Sequence, residues 1–212
     1  MDETLESCLD SDYLETFMIS TQPSFLKETW AYASQVKSFT QEDWIAYVAW
    51  VGLMFGLLFA VSGFTLLGWA NGVQFPPYVW NVPIGTAIFI GAIAFDTIGH
   101  RTAYKEELKK GEALVHHITI FAGISSVILL CLAYRHPDAF RIPSISMIAL
   151  SIFYSMIDEA LHWRRYLSGF SDRVEMWSHF FIFLGHTIMI LSWYYWFEQG
   201  YPGVAETLPF LP

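Results

Sequence analysis

Five runs of the chain are apolar over about the 20 residues that an α-helix needs to cross a ~30 Å hydrocarbon core. They extend from Ile45 to Trp69, Trp80 to Gly99, Ala113 to Tyr134, Pro143 to Leu161 and Trp177 to Phe197. Inside hydrocarbon each backbone N–H and C=O must find its partner within the protein, so lone runs of this length predict helices rather than strands. The composition agrees, since 15% of the residues are charged and 18% are aromatic, where a soluble domain is roughly a quarter charged. Trp69, Trp80, Trp163, Trp177 and Trp196 mark the ends of runs, where interfacial aromatics belong.

The net charge of −9 does not describe the whole chain. Nine of the 20 acids lie in residues 1–43, which reads as an acidic N-terminal segment. Within it Phe25, Trp30, Tyr32, Val36 and Phe39 recur at loosely helical spacing. This pattern suits either a short helix on the membrane surface or one packed on the bundle. Residues 44–197 form the transmembrane domain and 198–212 a C-terminal tail. The start of the chain is acidic, unlike a signal peptide, so the first run is expected to serve as the insertion signal. Cys8 and Cys131 form no CxxC and sit in unlike surroundings. The 11 Lys and Arg are too dispersed for nucleic acid.

Those cations divide unevenly. "RTAYKEELKKG" holds four and "WRRYLSGFSDR" three, whereas the opposite loop side has Arg135 and Arg141. The positive-inside rule places the N-terminus and both rich loops in the cytoplasm. The expected location is an integral membrane protein of a bacterial inner (plasma) membrane.

An internal repeat adds chemistry to this frame. "FDTIGHRTAYKEELKKGEALVHHITIF" from Phe95 aligns with "IDEALHWRRYLSGFSDRVEMWSHFFIF" from Ile157. Asp96 matches Asp158 and His100 matches His162, both 62 positions on; Glu112 matches Glu175 and His116 matches His179, both 63 on. Each half is a hairpin with D-x3-H, a loop, then E-x3-H. The fold expected is therefore an all-α membrane protein whose helices two to five form a four-helix bundle of two repeated hairpins.

Residues i and i+4 share one helix face, so each of the four helices offers a carboxylate with an imidazole one turn away. Helices two and four run toward the rich loops and three and five away from them. All four pairs thus lie at one depth, near the cytoplasmic face. Buried carboxylates repel unless cations neutralise them. Carboxylate and imidazole together suit two divalent ions, iron first, with manganese or zinc possible. The expected ligands are Asp96, His100, Glu112, His116, Asp158, Glu159, His162, Glu175 and His179. The set is similar in site logic to soluble di-iron bundles, which use Glu and Glu-x-x-His on four helices; Glu159 and His162 have that spacing. The repeat itself favours Asp158, because Thr97 stands where Glu159 would have its match.

Two residues are candidates for catalysis: Glu159 as a base, and His186, two turns from His179 on the same face, as a further ligand or proton relay. His117 faces away from His116 and reads as a supporting residue. Arg101, Arg164 and Arg165 are expected to meet headgroups, or else to neutralise surplus carboxylate. A redox metal pair near the membrane edge suits an O2-dependent oxidoreductase acting on a hydrophobic, lipid-like substrate. Electrons must come from a donor protein or quinol, because the chain has no flavin, haem-attachment or iron–sulfur signature. The rival readings are a zinc-dependent lipid hydrolase, a b-type haem or quinone electron-transfer protein, and a metal carrier.

Overall fold

The computed structural model describes residues 24–102, 110–169 and 172–211, with the backbone alone at 110 and 112. Among these residues the chain is helical, without strands. A short helix α1 (Phe25–Ala33) and a 3-10 turn (Ser34–Ser38) precede five long helices: α2 (Gln41–Ala70), α3 (Asn81–Thr102), α4 (Lys110–Ala133), α5 (Pro137–Leu167) and α6 (Arg173–Glu198). A one-turn helix α7 (Val204–Thr207) follows. All five long helices have the length and hydropathy to cross a membrane.

Local chemistry explains where they begin. Thr40 and Asp43 close a capping box at the start of α2: Asp43 N–H donates to Thr40 Oγ1 at 3.2 Å and Thr40 N–H to Asp43 Oδ2 at 3.0 Å. Asp172 caps α6, accepting from the Glu175 N–H at 2.8 Å. Helix α5 begins at Pro137, a turn and a half before the expected Pro143. Proline is at ease in a first turn, where its missing N–H deprives no carbonyl. Pro143 then lies inside the helix, still near its N-terminus.

The closest-packed helices are α3 with α6, and α4 with α5. Helix α2 leans on α3, and α5 on α6. In the α3/α6 pair the backbones meet: a Cβ on Gly85 would stand 2.5 Å from Met189 N, and one on Gly185 2.4 Å from Phe89 N. Neither position has room for a side chain, as at small-residue contacts between membrane helices.

At the site-bearing end, α1 packs on α3 and α6, with Tyr32 buried against Ile98 and Val174. Arg173 donates to both Glu28 oxygens, at 2.7 and 2.8 Å. The hydrogen bond and charge of Arg173 hold the Glu28 carboxyl below its ordinary pKa. Leu26 and Trp30 on the other face of α1 remain 80% and 77% exposed. The short helix therefore packs on the long ones while keeping an apolar outer side. At the opposite end the tail folds back, and α7 seats Thr207 against Gly68 of α2. Tyr201 OH donates to the Leu130 carbonyl at 2.6 Å.

Candidate metal centre

Asp96 and His100 occupy the last turns of α3, His116 the second turn of α4, Asp158 and His162 the last turns of α5, and Glu175 and His179 the first turns of α6. Because α3 and α5 arrive where α4 and α6 leave, the i, i+4 pairs share one level. The Gly85–Gly185 contact draws α3 onto α6, and a few turns away His179 Nε2 comes within 2.8 Å of Asp96 Oδ1.

The two atoms are buried and stand at ion-pair distance, and neither has a well-aligned hydrogen bond. Donor atoms packed this closely are also what metal ligands look like, since bonds of about 2.0–2.2 Å put neighbouring ligand atoms about 3 Å apart. Asp96, His100 and His179 form one group whose ligand atoms lie within 4.8 Å of one another, and Asp158, His162 and His179 form a second. His179 belongs to both. Its Nε2 faces Asp96, and its Nδ1 lies 3.9 Å from Asp158 Oδ2. His116 Nδ1 is 3.4 Å from Asp158 Oδ2, and the His162 ring stacks on His179 with centroids 3.2 Å apart. Asp96 and Asp158 are 6% and 7% exposed, and the side chains paired with them are all histidines. Among the described residues no Lys or Arg pairs with these two buried carboxylates, and a cation would neutralise them. The buried Asp and His groups could hold one.

Glu175 takes a different post. Its Oε1 lies 3.3 Å from His162 Nδ1 and accepts from Arg165 Nη1 at 2.9 Å. The other ring nitrogen of His162 faces Asp158, at 3.9 Å. A carboxylate behind a histidine fixes tautomer and ring orientation, as outer-shell partners of metal ligands do. Of the two roles expected for Arg165, the structure brings it to a carboxylate. The sequence signal for this was present: Arg165 stands three residues after His162, one helical turn along the same face.

The other expected site residues are dispersed. Glu159 points away from the cluster, accepting from Trp163 Nε1 at 2.6 Å in a separate pocket that Arg164 also lines. The Glu112 side chain lies outside the described residues. His117 is exposed and paired with the Ala113 carbonyl of its own helix. His186 is buried below the cluster, its Nε2 3.0 Å from Ser151 Oγ. Arg101 is exposed.

A cavity of about 680 Å³ leads from the cluster. Asp96, His116, Asp158 and His179 form one end, and Val127, Ile128 and Met189 lie toward the other. Trp50, Leu53, Met54 and Leu57 of α2 wall it. The first long helix, outside the repeat, thus encloses space beside the site. No protein-family model matches the chain, and no curated protein or solved structure matches it either, so the site must be read from its own chemistry.

Proposed function

We propose that the chain is a membrane-embedded, non-haem, binuclear metal oxidoreductase, with iron as its metal, that acts with O2 on a hydrophobic, lipid-like substrate. The observation that carries this reading is the continuity of the Asp/His cluster with an apolar cavity of about 680 Å³, within the roughly 300–1,000 Å³ of small-molecule sites. A structural ion would need the ligands but not the space.

The repeat supports two metal positions. It relates α3 to α5 and α4 to α6, and so carries the α3/α6 pair onto the α5/α4 pair. Those are the two close-packed pairs, which favours a four-helix bundle built from two repeated hairpins. Asp96, His100 and His179 would hold one ion, and Asp158, His162 and His116 the other, with His179 between them. Oxygen and imidazole donors without thiolate suit iron or manganese. When bound, the pair would supply the reduction of O2 with electrons from a donor protein or quinol. The chain's own tasks are to orient and to exclude: Glu175 holds the His162 ring, Arg165 balances Glu175, and the apolar walls keep water from the substrate. The cationic loops at the site-bearing end favour a cytoplasmic placement of that end and of the N-terminus, in a bacterial inner membrane.

Metal analysis of the purified protein with its absorption spectrum is the test. About two irons per chain, no Soret band, and O2 uptake on adding a reductant are expected. Zinc alone would replace the reading with a lipid hydrolase, and a Soret band with a cytochrome.

A further inference from the structure

The cavity has features that metal binding does not require. Its outer wall is made by α2 and α4, which do not pack closely on each other; α2 rests on α3 and α7, and α4 on α5 and α6. Leu53 of α2 and Ile124 and Ile128 of α4 line the cavity, yet they are 61%, 39% and 53% exposed. The cavity therefore opens sideways through an apolar seam in the middle of the long helices, where hydrocarbon would surround a membrane protein. Gly52 and Gly56, one turn apart on α2, line it too, with open space where a Cβ would stand.

Thr119, Ser155 and His186 are polar interruptions in the lining beyond the cluster. His186 lies seven residues past His179, about 10 Å deeper along α6. It is 4% exposed; its Nε2 meets Ser151 Oγ at 3.0 Å, and its Nδ1 is closed off from the cavity.

We propose that the cavity binds one aliphatic chain of a bilayer lipid, admitted between α2 and α4. This rests on the membrane oxidoreductase reading and names its substrate class. The chain lies along α6 from the cluster toward Met189, about 15 Å, so the carbons nearest the cluster are those closest to the lipid's head.

The test uses the full chain in phosphatidylcholine vesicles, with a stearate carrying a mid-chain diazirine as the probe. Photolabelling should fall on Met54, Val127 and Met189 inside the cavity, and not only on outward residues such as Phe59 and Phe121. Gly56→Phe and Gly52→Leu fill open space, and each should abolish interior labelling with metal content retained. Labelling confined to the outer surface, or interior labelling that survives both glycine variants, overturns the proposal. None of these readouts needs turnover. Interior labelling of a protein that binds no metal would sink the oxidoreductase reading alone, and a metal-loaded protein without interior labelling would sink this one alone.

Discussion

The α3/α6 and α4/α5 pairs carry matching acids and histidines but live in different surroundings. Of the apolar windows, 61% is buried in α3 and 50% in α6, against 17% in α4 and 22% in α5. The first pair meets backbone to backbone at Gly85 and Gly185. In the second, Gly123 of α4 leaves room: a Cβ there would lie 3.8 Å from Ser151 Oγ of α5, an ordinary contact. Lipid tails are as apolar as leucine, so membrane helices gain little from burial itself and associate through close packing and polar contacts. The α3/α6 pair is thus a rigid spine that positions Asp96 and His179, while α4 and α5 bring His116, Asp158 and His162 across and leave the cavity beside them.

The largest expected effect tests whether His179 is shared. His179→Ala should lower metal affinity more than the roughly 10–100-fold typical of losing an outer-shell partner, and should empty both positions. Its repeat counterpart, His116→Ala, should empty only one, which elemental analysis reads as half the metal. Equal losses in the two variants would make the pairs equivalent and remove the asymmetry argued above.

Packing comes next. Gly185→Leu drives a side chain into the Phe89 backbone and should cost about 3 kcal/mol or more, seen as a lower Tm in detergent. Gly123→Ala should shift it by less than about 1 kcal/mol. Similar losses at both glycines would mean that the α3/α6 contact is no spine.

Glu175→Gln keeps the shape of the carboxylate and removes its charge. It should weaken metal binding by about 10–100-fold, without the complete loss expected of a ligand. Glu159→Gln, beside Trp163 and away from the cluster, should leave metal content unchanged; a drop would return Glu159 to the ligand set. The smallest effect concerns α1. Arg173 depresses the Glu28 pKa, so their pairing contributes at neutral pH and fades as pH falls through the folded-state value, below the ordinary glutamate range. Protection of the α1 amides, relative to their intrinsic exchange rates, should fall on acidification, and Glu28→Gln should abolish that pH dependence of protection.

Much of this was legible beforehand because two periodicities are strong. Runs of about 20 apolar residues admit few structures, and a four-residue spacing puts Asp and His on one face whatever the helix packs against. Asp96, His100, His116, Asp158, His162 and His179 therefore converge as the spacing implies. Glu175 and Glu159 were harder to place. A carboxylate in register can ligate a metal or stand behind a histidine, and the choice depends on where Arg165 and Trp163 lie in space. The N-terminal helix was equally ambiguous, because an apolar stripe does not say whether lipid or protein covers it.

The residue order alone determined the number of long helices, their antiparallel course and the common depth of the acid–histidine pairs, since these follow from hydrophobic length and helical pitch. Tertiary structure decided the rest: that α3 pairs with α6 through two glycines, that His179 stands between two aspartates, and that α2 leaves a cavity by failing to meet α4. These depend on distances between segments far apart in the chain, which no local spacing encodes.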